Sequence, residues 1–510
     1  MEFRKLFGRE AKLTYICLIL SLYTLIAFHI PFFRDVLSFI NGGFNGVFIV
    51  VSVILLMLAL NFFVYYLLLY CFRGVGKGII SFTLIGNAIS LYFINTYNVL
   101  IDRAMMGNVF NTQASEATSF FSWTFILYIL LLGVPPCVWL FWKKSSYGSF
   151  KRFLANAGIS LTVIVAVAAG NIRNTTWIDF HAPVLGSKIM PWSYTINSVR
   201  YWVHWKKMNQ KEIILPDAEF VTDTEDIVVL IIGESARSQN FSLYGYERET
   251  NPLMAADSVT ALKARAYDTY TTASVKAILE HKPSKELYEI LPNYLQRNGV
   301  DVIWRSSNWG TPPLHLNKSY SKSALAERFP ETDGSFDGVL FHGLKEDIAE
   351  SDSAKIFVGI HTYTSHGPSY YANTPDEFKL FHPECRTVEM AKAKQSELIN
   401  AYDNTIVYTD YLVHSVIDML KTEFPERRSC VIFVSDHGES LGEGGLYMHG
   451  VPLSMAPDVQ LDIPFIVWTS EGSARIKDLG TVGHHHIYHS VMNFLGMESE
   501  FYDESKNIFE

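Results

Sequence analysis

The 510-residue chain is 49% hydrophobic and 18% charged, with a formal net charge of −9. This composition excludes a disordered or collagen-like chain, and five cysteines are too few for a small disulfide-stapled fold. Charge is unevenly spread: residues 1–170 carry 12 Lys and Arg against 5 Asp and Glu, and the remainder 30 against 46. So large an acidic part repels phosphate backbones, which argues against nucleic acid as a partner.

Five apolar stretches reach the roughly 20 residues that cross a bilayer: 13–33, 44–72, 78–101, 117–142 and 153–170. Asn41-Gly42-Gly43 separates the first two, and Pro135-Pro136 is expected to kink the fourth. A cleaved signal peptide is a poor reading of the first, which is long and followed by four more. Arg4, Lys5, Arg9, Lys12, Arg73, Lys77, Lys143, Lys144, Lys151 and Arg152 all fall on one side of this arrangement, against Arg34 and Arg103 on the other. Positive residues mark the cytoplasmic side, so five passes put the acidic C-terminal part in the periplasm. In residues 171–215, Trp177, Trp192, Tyr194, Tyr201, Trp202 and Trp205 are interleaved with Arg200, Lys206 and Lys207. Such a mixture suits the headgroup layer. The expected plan is a five-helix transmembrane domain at 1–170, interfacial linker helices at 171–215 and a catalytic α/β domain at 216–510.

From residue 226, short apolar runs alternate with helical stretches. Residues 226–233, 300–305, 355–361, 430–435 and 462–469 read as buried strands, and 284–298 and 387–421 as helices. That pattern predicts a largely parallel sheet, with any ligand beyond the carboxyl ends of its strands. There the sequence collects Glu234, His361, His366, Asp436, His437 and His449. Oxygen and nitrogen donors without thiolates suit Zn²⁺ or Mn²⁺ in an open catalytic site. A nucleophile is available at Thr271, Thr272 or Ser274, where a helix is expected to open. His484, His485, His486 and His489 stand at an apolar, helix-like end (487–495) and are not favoured as a second metal cluster.

Gly233-Glu234-Ser235, the segment 240–252, Thr271 to Val275, Ser365-His366-Gly367-Pro368, the helix around Asp403 and Asp436-His437-Gly438-Glu439-Ser440 through His449-Gly450 resemble the blocks of the phosphoethanolamine transferases. These are membrane enzymes of the alkaline phosphatase and sulfatase superfamily, and the resemblance covers nearly the whole chain. It implies Zn²⁺ held by Glu234, Asp436, His437 and a nucleophilic threonine. Counting back from Ser274-Val275 favours Thr271, whereas pairing with Ala273 gives Thr272. His366 and His449 would contact the phosphate, serve acid–base catalysis or hold a second metal, with His361 a weaker candidate. The chain departs from the family pattern in lacking the cysteines beside the nucleophile, in Lys276 where a proline is expected, in Ala393 where Cys385 would find its pair, and in the loop 309–317.

The implied activity moves phosphoethanolamine from phosphatidylethanolamine to a periplasmic acceptor at the inner membrane. Lipid A leads as acceptor, with a saccharide or protein as alternatives. Added amines would lower outer-surface negative charge and weaken attack by cationic peptides such as polymyxin. The rivals are a lipoteichoic-acid-synthase-like phosphoglycerol transferase and a catalytically dead membrane-anchored binding protein. A sulfatase is disfavoured because its formylglycine signature is absent.

Overall fold

A computed structural model describes residues 9–40, 43–112, 120–208, 211–387 and 390–510. Arg4, Lys5, the Asn41-Gly42 break and Ala117, the expected start of the fourth span, lie outside the described residues. The chain divides into two compact units, Met1–Trp202 and Val203–Glu510.

The first unit is helical. Helix α1 (Leu13–Phe28) and helix α2 (Ile30–Phe39) replace the single span expected at 13–33, and they meet at a 67° bend. Pro31 cannot donate a backbone hydrogen bond, and His29 fills the break. Its Nδ1 donates to the Thr24 carbonyl at 2.9 Å and its Nε2 accepts from the Met190 amide at 3.1 Å. Helix α3 (Phe44–Tyr97) consists of two helical arms that meet at Arg73, which leaves helical geometry with φ 45° and ψ −106°. It folds back on itself there. Trp192 donates to Asn61 and Tyr194 to Asn87, at 3.0 and 2.9 Å, yet a straight helix would hold those asparagines about 39 Å apart. Gly76, just past the turn, lies so close to the outgoing helical arm that a Cβ there would stand 2.3 Å from the Leu68 carbonyl oxygen.

Helix α4 (Trp123–Trp142) carries a π-turn at Ile129–Gly133, just before Pro135 and Pro136. Pro136 cannot bond the Leu132 carbonyl four residues back, and the Tyr23 hydroxyl takes it instead at 2.7 Å. Helix α5 (Phe150–Gly170) follows. Among the described residues, α3, α4 and α5 are long and apolar enough to cross a membrane, and the α1–α2 pair makes a fourth if read as one broken span. The expected linker forms helices α6 (Thr175–Ser187) and α7 (Trp192–Met208). Several of its aromatics are hydrogen-bonded to the other helices of this unit. Trp177 bonds the Phe39 carbonyl, Trp192 and Tyr194 bond α3, and Tyr201 accepts from Asn111.

The second unit is built on an eight-stranded sheet. Its strands are β1 (Asp226–Gly233), β2 (Thr260–Arg265), β3 (Asp301–Ser306), β4 (Lys318–Ser321), β5 (Lys355–His361), β6 (Arg428–Ser435), β7 (Asp462–Thr469) and β8 (Thr481–Gly483), in the order β8-β2-β7-β6-β1-β5-β3-β4. Only β7 runs against its neighbours. Every residue of β1 is buried, as a central strand covered on both faces requires. On one face Val228, Leu230 and Ile232 pack with helix α8 (Thr271–Leu279) and helix α11 (His486–Phe494) through Val275, Ile278, Ile487 and Val491. The remaining helices used below are α9 (Leu291–Arg297) and the long α10 (Gln395–Glu423). All five cysteines are free.

Candidate active site

The register of the central strands sets the site. Gly233 of β1 lies opposite Ser435 of β6, Ile232 opposite His361 of β5, and Ser306 of β3 opposite His361. Four parallel strands therefore release their next residues along one edge. The chain leaves β1 through Glu234 and then Ser235, which takes a left-handed φ of 54°, a costly conformation for a residue with a Cβ. Ser235 is held there by its amide to Asp436 Oδ1 at 3.0 Å and by its carbonyl, which accepts from the Tyr402 hydroxyl of α10 at 2.7 Å.

Glu234, Asp436 and His437 come together, with one ligand atom from each within 4.8 Å of the others. His437 Nε2 is 3.5 Å from Glu234 Oε1 and 3.3 Å from Asp436 Oδ2. Its Nδ1 donates to the Gly438 carbonyl at 3.0 Å, which leaves Nε2 as the ring's acceptor. Thr271 opens α8, with its Oγ1 3.3 Å from Glu234 Oε2 and 3.4 Å from His437 Nε2. The two other hydroxyls are placed differently. Ser274 is fully buried and bonds the backbone of Asp268, accepting from its amide and donating to its carbonyl. Thr272 is only half-buried.

His366 and His449 stand beside this group, and with Glu234 they form a second set of converging ligand atoms. The rings of His449 and His437 are 4.2 Å apart, and those of His449 and His366 5.5 Å. Tyr363 orients His366 through a 2.9 Å hydroxyl–Nδ1 bond and a stacked ring. Glu439 holds His449 Nδ1 at 2.8 Å and accepts from the Tyr370 hydroxyl at 2.7 Å. His361 is turned elsewhere: its Nδ1 meets Thr311 Oγ1 at 3.3 Å, and it joins none of the converging groups found among the described residues. His484, His485, His486 and His489 join none either.

Burial governs the electrostatics. Glu234 is pushed up to about 7, first by desolvation and then by Asp436; Asp436 and Glu439 rise to about 7, chiefly by desolvation. His366, His437 and His449 fall to about 4, again chiefly by desolvation. Anions so close together and so dry call for a cation. Asp436 Oδ2 is buried without a hydrogen-bond partner, which is what an atom reserved for a metal looks like. Two carboxylates, an imidazole and a hydroxyl form a donor set that fits Zn²⁺.

Asn308, Glu439 and Tyr363 were given no role by the sequence reading. Asn308 Nδ2 donates to Glu234 Oε2 at 2.6 Å and to the Thr362 carbonyl at 3.0 Å, fixing the carboxylate. The next residues close on Thr271. Gly310 has φ 93°, and a Cβ there would lie 3.3 Å from Thr271 Cγ2.

Residues 226–497 match the sulfatase family and residues 47–205 the family described as phosphoethanolamine transferase EptA/EptB. Phosphoethanolamine transferase EptA of Helicobacter pylori is 35% identical over 418 residues, covering 80% of this chain and 79% of that protein. The chain belongs to the phosphoethanolamine transferase family. The phosphatidylethanolamine transferase Mcr-1 of Escherichia coli is 29% identical over 435 residues, covering 79% of this chain and 80% of the relative. The integral membrane lipooligosaccharide phosphoethanolamine transferase A of Neisseria meningitidis superposes with a TM-score of 0.87 at 25% identity, over 98% of this chain and 99% of that one. This phosphoethanolamine transferase is therefore a membrane protein whose soluble part has the sulfatase-like α/β fold. Where a proline is expected in α8 it carries Lys276, whose ammonium is buried against Glu280 and donates to the Ser284 carbonyl at 2.9 Å. Lys276 thus ties the end of α8 to the following loop without a disulfide.

Proposed function

We propose that this transferase carries phosphoethanolamine from phosphatidylethanolamine to lipid A in two displacements through Thr271. The observation that carries the reading is the Thr271 hydroxyl at the start of α8, within 3.4 Å of both Glu234 and His437. In the first displacement Thr271 Oγ forms a bond to the lipid phosphorus, the bond from phosphorus to the diacylglycerol oxygen breaks, and diacylglycerol leaves with a proton. In the second, an acceptor phosphate oxygen attacks that phosphorus and Thr271 Oγ departs. Glu234, Asp436, His437 and Thr271 would hold Zn²⁺, which when bound would supply Lewis acidity to the hydroxyl and offset phosphate charge. The N-terminus of α8 presents its unpaired amides to an incoming anion. His366 and His449, neutral through burial, are suited to accept or return the proton of the leaving or attacking oxygen. Tyr363 and Glu439 keep their rings in place.

Phosphatidylethanolamine as donor is supported by the name of the E. coli relative Mcr-1, and a lipid-linked saccharide acceptor by the lipooligosaccharide in the name of the N. meningitidis relative. An added ethanolamine lowers surface anionic charge, the route to polymyxin resistance. We read five membrane passes in the inner membrane, counting α1–α2 as one and α3 as two. The fold-back at Arg73 supports the count, and the one-sided Lys and Arg residues support a periplasmic catalytic domain.

The test is mass spectrometry of the purified protein with phosphatidylethanolamine. A phosphoethanolamine adduct of about 123 Da, the mass its composition gives, is expected on Thr271 and absent in Thr271→Ala. An adduct on Thr272 moves the nucleophile by one residue. Transfer with no adduct on any hydroxyl overturns the two-step scheme. Diacylglycerol release from phosphatidylglycerol in place of phosphatidylethanolamine would change the headgroup.

A further inference from the structure

The histidines at the start of the chain's last helix join none of the converging groups found among the described residues, yet one of them reaches both halves of the catalytic edge. His484 is 1% exposed. Its Nδ1 accepts the Tyr267 amide proton at 3.3 Å, and its Nε2 lies 3.0 Å from the Ser435 carbonyl. The first contact makes Nδ1 the acceptor, so Nε2 carries the proton and donates. Ser435 is the last residue of β6, directly before Asp436 and His437. Tyr267 lies in the segment that leads from β2 to Thr271.

These two exits have no ladder in common. Strand β7 lies between β2 and β6 and runs against both. Backbone bonds join them indirectly, through Leu461 to Ala266 and Gln460 to Gly438 at 2.7 and 3.0 Å, with Gly450 to Thr269 at 2.9 Å further along. His484 enters from the end of β8, on the far side of β2, and spans the gap with one rigid ring. An apolar residue would fill the space but leave an amide and a carbonyl without partners.

We propose that His484 is a positioning residue that sets the Thr271 hydroxyl against the Asp436–His437 pair. It acts through backbone bonds to Tyr267 and Ser435 and touches neither metal nor substrate. The inference rests on the reading of Thr271 as nucleophile. Neighbours that hold a reacting group or ligand in place are worth about ten- to a hundredfold in rate.

The experiment compares full-length wild type with His484→Ala, His484→Leu and His484→Gln in detergent with phosphatidylethanolamine. It reads diacylglycerol release, bound zinc and amide exchange per folded molecule. In His484→Ala and His484→Leu, kcat should fall about ten- to a hundredfold, with KM within about twofold because ground-state binding is untouched. Zinc content should hold, and exchange should rise in the peptide covering residues 266–272. His484→Gln, whose amide reaches the Nε2 position and keeps the donor to Ser435, should regain part of kcat. Wild-type kcat in His484→Ala, or a loss that only tracks the folded fraction in all three variants, overturns the proposal. Adduct mapping on wild type tests Thr271 separately. An adduct elsewhere removes the nucleophile reading, while the ratio of kcat values still decides whether His484 acts on the chemistry.

Discussion

Two groups of buried histidines lie in the soluble unit, and they differ in what surrounds them. His366, His437 and His449 face Glu234, Asp436 and Glu439, and one nitrogen of each ring is fixed by Tyr363, Gly438 or Glu439. In the second group, His484 is bonded to Tyr267 and Ser435, His486 to Gly483, and His489 to the His281 carbonyl and the Asp503 amide. Both groups are dry and rich in imidazole. What separates a candidate metal centre from a set of satisfied core residues is the convergence of acidic oxygens, including Asp436 Oδ2 with no partner of its own.

Removing a carboxylate that faces the first group should produce the largest effect. Asp436→Ala is expected to lose tightly bound zinc and to lower turnover by roughly a thousandfold or more, since Lewis-acid stabilisation is worth several kcal/mol. Elemental analysis beside a transfer assay reads both, and full zinc with full turnover would erase the distinction between the groups. His449→Ala should keep the metal and lower kcat by about 10²- to 10⁴-fold, the range of general acid–base catalysis. A change confined to KM would make His449 a binding residue.

Acidity sharpens the contrast next. Without a cation, Glu234 and Asp436 are raised from 4.5 and 3.8 to about 7. Their contribution to the stability of the chelated protein is full below the unfolded values and is lost as pH rises through about 7. Zinc needs both carboxylates ionised, so the gap in Tm between zinc-loaded and chelated protein should widen from about pH 5.5 to 7 and then level off. A gap that narrows with rising pH contradicts this ligand set. The smallest effect belongs to the second group. His489→Ala leaves the His281 carbonyl and the Asp503 amide without that partner and should cost about 1–3 kcal/mol of stability, with zinc per folded molecule unchanged.

The sequence made the catalytic edge legible because its strands are near-continuous apolar runs, so the first polar residue after each run marks a carboxyl end. Glu234, Asp436 and His437 were found that way. Strand β2 escaped because Thr260–Arg265 carries Lys263 and Arg265 and is mostly half-buried. Strand β4 is the polar edge segment Lys-Ser-Tyr-Ser, and β8 has three residues. Helix α9 begins at Leu291, seven residues later than expected, because Pro292 can sit in a first turn but not in an interior. The break at His29 was missed because an apolar run does not reveal a bend. Thr271 and Thr272 could not be separated by spacing; their side-chain directions depend on where α8 starts, which is set by packing against β1. Asn308 carried no signal, since a single amide after a strand is common.

The contact between Gly76 and the Leu68 carbonyl oxygen bears on how much enzyme a cell holds. A hairpin that tight brings two long apolar segments together before either has another partner, so its closure is an assembly step rather than a catalytic one. Any side chain at position 76 would have to prise the two arms apart at the turn. The damage would fall on chains still finding their place in the bilayer, and chains that stay open are cleared by quality-control proteases. Substitution of this glycine is therefore expected to lower abundance more than the rate of each folded molecule.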